Sequence, residues 1–294
     1  MRLYYVSSIR HNVRHFFKKL LNKEHTFDIS KKGSFIKKEQ SSLNKDFVAD
    51  SWSGQEVISI FEGEWASRIP GFHSGSVPAF DDDRIKWLEK QCGGFSGKSI
   101  LELGPMEGGH TYMLWKGGAS QIVSIEGNKR SFLKCLITKE LLGYSAKFRL
   151  GDFARYLETT NDKYDFVLAS GVLYHMADPV RLLESIPRVT NRIGIWTHYF
   201  DEKVILSTKY LKRRFDIPGQ QITWKGRTII GYRQKYRNEP NLLSFVGGNL
   251  PYSTWIRKDD IIGILESLGF SVVIGNDDLH GKNGPSMLLY ASAK

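Results

Sequence analysis

The stretch ILELGPMEGGHT, residues 100–111, has the residue types and spacing that best suit ligand chemistry. An apolar strand pattern carries an acid, Glu102, near its end and runs into a turn where Gly104 permits a tight bend. Gly108 and Gly109 then let a ligand approach the start of the next helix without meeting a side chain. Open parallel sheets bind ligands at the carboxyl ends of their strands, so Glu102 is predicted at a binding edge.

Two further acids end neighbouring strand patterns. Glu126 ends a strand pattern about twenty residues further on, where a carboxylate can accept both hydroxyls of a ribose. Asp152 follows the pattern AKFRLGD, residues 146–152, and Phe153 beside it can lie against an adenine ring. For either acid alone, a surface carboxylate is the preferred interpretation. Acids at three successive strand ends predict a ligand that contains a nucleoside.

Short apolar runs alternate with helical patterns from Lys98 onward, which predicts an α/β fold. The predicted strands are 98–104, 121–127, 146–152, 164–171, 192–200, 270–275 and 286–292. The helical patterns cover 109–115, 129–142, 179–189 and 257–268. We therefore expect a Rossmann-like, seven-stranded, mostly parallel sheet with helices on both faces. The alternation stops after residue 201, which predicts a long insertion, 201–256, before the last helix.

The ordered set ELGPMEG, SIEG, GDF and DFVLASGVLYHM resembles the class I S-adenosylmethionine-dependent methyltransferases. The resemblance runs from about residue 80 to the C-terminus, and WIRKDDIIGILESLGFSVVIG is also typical of that family's last helix and edge hairpin. It implies S-adenosyl-L-methionine as cofactor and S-adenosyl-L-homocysteine as product. The residues that the resemblance assigns to the cofactor are Glu102, Gly104, Met106, Gly108, Glu126, Gly127, Asp152, Phe153, Ser170, Gly171 and Val172.

The resemblance also implies a role for each part of this set. Glu102, Gly104 and Gly108 are expected to line the amino-acid moiety of the cofactor, and Glu126 to hold the ribose hydroxyls. Asp152 is expected to meet the adenine amino group, with the next residue beside the ring. The stretch 170–172 is expected to border the methionine.

Met106 departs from the family pattern, which often has a glycine between Gly104 and Gly108, so the loop must pass the cofactor differently. The same methionine argues against a nicotinamide-dinucleotide fold, the nearest competitor. The fingerprint of that fold needs a glycine here for close approach of the pyrophosphate. S-adenosylmethionine has no phosphate, so a looser turn suffices.

Residues 132–143 and 165–183 are similar to the tRNA wobble-uridine carboxymethyltransferases and their relatives. The shared features are the Gly-Gly-His turn at 108–110 and the phrase GVLYHM with a downstream Asp-Pro. Because this similarity mostly concerns the cofactor half, it indicates a branch and not an acceptor.

Tyr174 and His175 follow the fourth predicted strand, 164–171, and are the predicted catalytic residues. His175 can deprotonate a hydroxyl or amine acceptor near neutral pH. Methyl transfer from a sulfonium is an in-line displacement, so positioning can supply most of the rate and a base is optional. A histidine that only orients the loop is the alternative, and His110 and His198 are weaker candidates of the same kind.

Positive charge is concentrated in two parts of the chain. The net charge is +11, whereas residues 1–45 and 201–258 each carry +8. Basic and aromatic side chains are interleaved in the insertion, which suits an anionic acceptor with rings: nucleic acid, a sugar phosphate or a pyrophosphate-linked glycan. Solvated charge with packed aromatics is the alternative. These side chains are Lys212, Arg213, Arg214, Arg227, Arg233, Lys235 and Arg237, with Tyr210, Trp224, Tyr232, Tyr236, Tyr252 and Trp255.

The predicted domains are a basic extension, 1–45, a cap with lead-in helices, 46–97, and the methyltransferase domain, 98–294. Apolar residues at spacings of three and four over 1–23 predict an amphipathic helix with a basic outer face. Docking on its own domain, contact with an anionic membrane, and binding of nucleic acid or protein stay open for this helix. Trp52, Trp65 and the stretch 61–71 are expected to cover the cofactor.

The two cysteines, Cys92 and Cys135, lie outside any CxxC or Cys/His cluster, which disfavours a disulfide framework or a structural zinc site. No membrane-spanning run and no secretory signal pattern is found. We therefore predict no metal ion and a cytoplasmic location, with peripheral membrane contact through residues 1–23 as an open alternative.

Three functions are compatible with these patterns. The first is a methyltransferase acting on a small-molecule or glycan-like acceptor, expected to be anionic. The second is an RNA-modifying, tRNA-type methyltransferase, favoured by the branch resemblance and the two basic segments. The third is a non-catalytic binding protein on a cofactor fold, against which the intact acids Glu102, Glu126 and Asp152 argue.

Overall fold

The computed structural model describes residues 47–48, 51–236 and 247–294. The chain divides into two compact units, 1–53 and 54–294. The predicted helix over 1–23 and the basic extension 1–45 lie outside the described residues. Within the first unit, the Trp52 side chain is 83% exposed.

The larger unit carries the helices and strands, numbered here in chain order. The helices are α1 (Gly54–Ser59), α2 (Asp83–Gln91), α3 (Gly109–Lys116), α4 (Lys129–Leu142), α5 (Phe153–Thr159), α6 (Pro179–Ser185), α7 (Glu202–Ser207), α8 (Lys209–Lys212) and α9 (Lys258–Ser267). The strands are β1 (Ser99–Leu103), β2 (Gln121–Glu126), β3 (Lys147–Leu150), β4 (Phe166–Ser170), β5 (Arg192–His198), β6 (Gln220–Trp224), β7 (Arg227–Lys235), β8 (Tyr252–Trp255), β9 (Phe270–Asp278) and β10 (Ser286–Ala293). Short 3₁₀ turns occur at Leu173–His175 and Ile186–Arg188.

The main sheet has seven strands in the order β3-β2-β1-β4-β5-β10-β9. The first five strands pair in parallel, and β10 runs antiparallel to both of its neighbours. The predicted α/β, mostly parallel, seven-stranded sheet is therefore confirmed. Because β1 lies centrally and the chain moves outward on both sides of it, the loops after β1 and β4 open toward opposite sides and leave a crevice between them.

Both faces of the sheet are covered. One apolar cluster joins β1, β4 and β5 to α6 and α9, with Leu183 and Ile264 each 1% exposed. The other joins the opposite face to α2 and α3, with Leu88 and Leu114 at 0%. This two-sided burial explains why these strands read as continuous apolar runs.

Polar residues just before the helices define where the helices start. Asn128 Oδ1 accepts hydrogen bonds from Arg130 N and Ser131 N and so caps α4. Asp82, Asp152 and Asp178 cap α2, α5 and α6 in the same manner. Side-chain caps satisfy backbone amides that have no partner inside the helix. As a result the loops at the carboxyl edge of the sheet have defined conformations.

The predicted insertion is an ordered subdomain over its described part. Helices α7 and α8 precede an antiparallel sheet in the order β6-β7-β8. Its apolar side chains form a separate core with Phe200, Phe215 and Trp255, each under 9% exposed. The stretch 61–80 belongs to a further cluster that packs on α4 and contains Trp65. Among the described residues, no helix is both long and apolar enough to cross a membrane.

Candidate active site

A cavity of about 990 Å³ lies at the carboxyl ends of the parallel strands. Its lining includes eleven of the thirteen predicted cofactor and catalytic residues. These are Gly104, Met106, Glu126, Gly127, Asp152, Phe153, Ser170, Gly171, Val172, Tyr174 and His175. Glu102 and Gly108 are not part of the lining. The fold therefore brings together residues that are spread over 72 positions of the sequence, from Gly104 to His175.

Glu126 fastens the turn that follows the neighbouring strand. Its Oε2 accepts a hydrogen bond from Met106 N at 2.9 Å, and its Oε1 accepts one from Asn128 N at 2.8 Å. Burial raises the pKa of this carboxyl, against the lowering effect of these backbone amides. A carboxylate oxygen has more than one lone pair, so both oxygens keep acceptor capacity toward the cavity.

Met106 has the backbone conformation that glycines favour, with φ at +58°. Left-handed geometry costs a non-glycine residue energy, and here the hydrogen bond from Met106 N to Glu126 offsets part of that cost. The loop thus keeps a glycine-like path although this chain has methionine where the family often has glycine.

Gly104 is needed for close packing of two loops. Its φ is +65°, and a Cβ at this position would lie 2.6 Å from Val172 Cγ1. Gly108, with φ at +80°, leaves room for the Tyr144 hydroxyl, which a Cβ would approach to 2.3 Å. Gly104 therefore contributes to the cavity wall, whereas Gly108 is required for packing behind it.

Glu102 does not line the cavity. It is 1% exposed, and its Oε2 accepts hydrogen bonds from Thr111 Oγ1 at 2.5 Å and Ser124 Oγ at 2.7 Å. Burial raises its pKa. Glu102 was expected to line the amino-acid moiety of the cofactor, but it is absent from the residues that line the cavity. This carboxyl instead ties β1 to β2 and to the first turns of α3.

The ends of β3 and β4 complete this half of the cavity. Asp152 Oδ1 accepts the backbone N–H of Ala154 at 2.9 Å, so this acid caps α5 while it lines the cavity beside Phe153. At the end of β4, Ser170 Oγ is buried without a hydrogen-bond partner in the described part of the chain. A buried hydroxyl of this kind can donate to or accept from a polar ligand group.

Tyr174 and His175 lie in the 3₁₀ turn after β4, with ring centroids 4.1 Å apart. His175 Nδ1 is 2.8 Å from the Tyr236 hydroxyl. Burial, together with His198 and Arg214, lowers the pKa of His175 to about 4, so the ring is neutral at physiological pH. Burial raises the pKa of Tyr174 to about 12, so the phenol stays protonated.

His198 is a structural histidine. Its Nδ1 donates to the Pro285 and Gly284 carbonyl oxygens at 3.0 and 3.2 Å, and its ring stacks on Trp255. It does not line the cavity. These contacts join β5 to the loop before β10.

A polar and aromatic wall lies on the other side of the cavity, and sequence reasoning had named His110 and Tyr174 in it but not Asp82, Arg84 or Trp196. His110 Nε2 lies 2.9 Å from Asp82 Oδ2, and Arg84 contacts the same carboxylate with its Nε and Nη2. The Arg84 guanidinium also lies 4.3 Å above the Trp196 ring, which is edge-on to Tyr174. His110, Arg84, Trp196 and Tyr174 all line the cavity. The Gly-Gly-His turn was the sequence signal for His110.

A buried ion pair connects the stretch 61–80 to the turn after β1. Glu107 accepts hydrogen bonds from Ala66 N at 3.0 Å and Ser67 N at 2.7 Å, and from Lys134 Nζ at 3.1 Å. Lys134 also donates to the Glu64 carbonyl oxygen. Ser67 lines the cavity, whereas Trp65 is buried in its own cluster. The predicted cover over the cofactor is therefore positioned through Glu107, which the sequence did not single out.

The described basic side chains of the insertion do not line this cavity, and several have partners within the chain. Arg227 donates to the Gly263 carbonyl oxygen at 2.9 Å, and Lys235 pairs with Asp216. Arg233 lies 4.1 Å above the Tyr252 ring. Only residues 247–249 of the described insertion reach the cavity. Arg237 lies outside the described residues.

Residues 95–230 match a family model described as a methyltransferase domain. This stretch of the chain is therefore a methyltransferase domain. The strand order and the cavity at the carboxyl edge are those of the class I, S-adenosylmethionine-dependent methyltransferase fold. The predictions of a class I methyltransferase fold and of S-adenosylmethionine as cofactor are confirmed. In the part of this methyltransferase that the structure describes, no group of three His, Cys, Asp or Glu side chains is arranged to hold a metal ion.

Proteins similar to this chain were found both by sequence and by structure. A tRNA U34 carboxymethyltransferase from Campylobacter hominis is 26% identical over 98 residues, which is 33% of this chain and 34% of that protein. The N-terminal domain of EvdMO1, crystallised with SAH and D-fucose, has a TM-score of 0.60 at 22% identity and covers 82% of this chain and 95% of that domain. Complete EvdMO1 has a TM-score of 0.55 at 19% identity, over 81% of this chain and 46% of that protein. The structural likeness shows the shared fold.

Proposed function

We propose that this methyltransferase transfers the methyl group of S-adenosylmethionine to a hydroxyl of a small, ring-containing acceptor of the sugar type. The observation that carries the proposal is one cavity with two different halves. The predicted cofactor residues line one half, at the ends of β1 to β4. The wall of His110, Arg84, Trp196, Tyr174 and His175 lines the other.

The cofactor half has the groups that an adenosyl amino acid requires. Glu126 would accept the ribose hydroxyls, and Asp152 with Phe153 would meet the adenine. The unpartnered Ser170 hydroxyl would hydrogen bond the methionine moiety. When bound, the cofactor supplies an electrophilic methyl group on a sulfonium. The residues of the chain hold it in line with the acceptor, and this orientation is the main source of rate in a displacement.

The cavity is large enough to hold two ligands side by side. Small-molecule sites are typically about 300–1,000 Å³, and this cavity, at about 990 Å³, is at the upper end of that range. A single cofactor would leave room beside it for an acceptor of monosaccharide size. Adjacent binding of both is what an in-line transfer needs.

The charge balance of the cavity favours a hydroxyl acceptor over a polyanion. Three of its arginines are paired with carboxylates: Arg84 with Asp82, Arg130 with Glu64 and Arg181 with Glu158. Paired charges attract an anionic ligand less than free ones. The aromatic rings of Trp196 and Tyr174 suit stacking against the apolar face of a sugar.

RNA methylation is the second candidate, and the tRNA U34 carboxymethyltransferase relative is the observation that favours it. It requires a row of basic side chains available to phosphates. The contacts of Arg227, Arg233 and Lys235 within the chain argue against such a row in the described insertion.

The deciding experiment incubates the protein with methyl-labelled S-adenosylmethionine and a cell extract, and then counts label in the small-molecule and oligosaccharide, RNA, lipid and protein fractions. We expect label in the first fraction. Label confined to RNA would replace the proposal by the second candidate. Glu126→Gln should abolish the labelling, whereas the exposed Glu266→Gln on α9 serves as the matched control and should retain it.

A melting experiment tests cofactor binding independently of catalysis. S-adenosylhomocysteine at one hundred times its Kd should stabilise the protein by about 2.7 kcal/mol. For a unit of this size that corresponds to a rise in Tm of about 5 °C. An unchanged Tm at saturating S-adenosylmethionine and S-adenosylhomocysteine would contradict cofactor binding itself.

A further inference from the structure

His110 and Asp82 form a pair that the predicted catalytic set does not contain. His110 belongs to the first turn of α3, and its Nε2 is 2.9 Å from Asp82 Oδ2 at the start of α2. Asp82 is 8% exposed, and its backbone N–H lies 3.2 Å from Met113 Sδ, one turn further along α3. Asp82 is therefore held through its backbone by Met113 and through its carboxylate by His110 and Arg84.

The partners of Asp82 determine which nitrogen of His110 carries the proton. Burial alone would raise the pKa of Asp82, but the bonds from His110 and Arg84 hold that pKa well below its usual range, so the carboxyl is ionised. An ionised carboxylate only accepts hydrogen bonds, so the Nε2 of neutral His110 is the donor. The lone pair of the neutral ring is then on Nδ1, and the ring belongs to a side chain that lines the cavity.

His175 at the other end of the wall is less suited to take a proton. Its Nδ1 is paired with the Tyr236 hydroxyl, a neutral group, and its pKa of about 4 reflects an environment that disfavours the imidazolium. A neutral imidazole becomes a cation when it accepts a proton, and an adjacent carboxylate stabilises that cation. His110 has this partner in Asp82. The charged groups that face His110 are Asp82 and Arg84 from the start of α2 and Glu102 from β1.

We propose that His110 is the general base of the reaction and that Asp82 is its positioning residue. As the bond from the acceptor oxygen to the methyl carbon forms and the bond from that carbon to sulfur breaks, the hydroxyl proton passes to His110 Nδ1. The sulfonium becomes a neutral thioether and the imidazole becomes an imidazolium, so charge and atoms balance. The inference rests on the proposed function because it needs a hydroxyl acceptor.

The first test reads the tautomer directly. Full-length protein labelled with ¹⁵N-histidine is examined by long-range ¹H–¹⁵N spectroscopy at neutral pH, and the His110 signals are identified by their loss in His110→Gln. We expect a protonated Nε2 and an unprotonated Nδ1, and we expect Asp82→Asn to change this pattern. Protonation at Nδ1 in the wild-type protein would overturn the inference, because that nitrogen could not accept the hydroxyl proton.

The second test measures initial rates of methyl transfer against pH, with the extract fraction that takes up label as the acceptor. Loss of a general base typically costs about 10²-fold or more in rate, and we expect this for His110→Gln together with loss of the acid limb of the profile. Asp82→Asn should lower the rate as well, because the imidazolium that forms in the reaction loses its adjacent carboxylate. The exposed His280→Gln should keep the wild-type profile.

Binding of S-adenosylhomocysteine by calorimetry shows that each variant is folded. Unchanged rate and profile in His110→Gln would overturn the inference and leave the proposed function intact. A profile that responds to His175→Gln but not to His110→Gln would assign the base to His175. No transfer by the wild-type protein to any hydroxyl-bearing fraction would overturn the proposed function and this inference with it.

Discussion

The buried Glu107–Lys134 pair offers the sharpest prediction of stability in this methyltransferase. The two side chains are 2% and 4% exposed, and Glu107 also accepts the backbone amides of Ala66 and Ser67. Glu107→Gln removes the negative charge and turns one of its two acceptor oxygens into a donor. Lys134 is then a buried cation without its carboxylate, and one of the two amides loses its acceptor.

The size of the effect can be estimated from the burial. Removing one partner of a buried ion pair destabilises a protein by about 3–5 kcal/mol. For a unit of this size each kcal/mol lowers Tm by about 2 °C, so we expect a decrease of about 6–10 °C. Affinity for S-adenosylhomocysteine should fall as well, because Ser67 lines the cavity and Met106 precedes Glu107 in the turn.

Calorimetric melting and titration of S-adenosylhomocysteine measure both effects. Lys134→Met in the Glu107→Gln background should recover part of the lost stability, since it removes the uncompensated cation. The exposed pair of Lys86 with Asp83 on α2 is the matched control, and Asp83→Asn should lower Tm by less than about 2 °C. A decrease in Glu107→Gln no larger than in this control would refute the reasoning, as would a double variant less stable than Glu107→Gln.

Three further predictions follow from individual residues. Gly104→Ala puts a Cβ at φ +65° and 2.6 Å from Val172 Cγ1, so denaturant unfolding should show a loss of about 1–3 kcal/mol, and a wild-type midpoint would contradict this. His175 has a pKa of about 4 in the folded protein, below the 6.5 of an ordinary histidine, so as the pH falls the unfolded chain binds this proton at a higher pH than the folded one. The stability present above pH 6.5 is therefore lost as the pH falls toward 4, and Tm should fall less steeply over this range in His175→Gln than in the wild-type protein. Equal slopes in the two proteins would exclude the effect. Trp196→Leu should raise KM for the acceptor and leave calorimetric affinity for S-adenosylhomocysteine unchanged, and a parallel loss of both would place Trp196 in the cofactor half.

The strands of the seven-stranded sheet were predictable because the sequence signals for them are local. Apolar runs bounded by turn residues predicted the strands, and the structure confirms all seven within a few residues of the predicted bounds. The acids Glu126 and Asp152 were found because each follows a strand directly. The three-stranded sheet in the insertion, β6-β7-β8, was not predicted, because its strands mix polar and basic residues with apolar ones and show no clear pattern. These strands are stabilised by packing on Phe215 and Trp255, which the local sequence does not reveal.

The sequence by itself determined the methyltransferase domain, the positions of its seven strands along the chain and most of the cavity residues at their carboxyl ends, because hydrophobic periodicity and turn residues act over short distances. Only the tertiary structure decided which side chains meet. His110 and Asp82 are 28 residues apart, and Glu107 and Ala66 are 41 apart. Glu102 is buried by its hydrogen bonds with Thr111 and Ser124 and does not line the cavity. Such pairings depend on how the helices pack on the sheet, and no local pattern in the sequence specifies them.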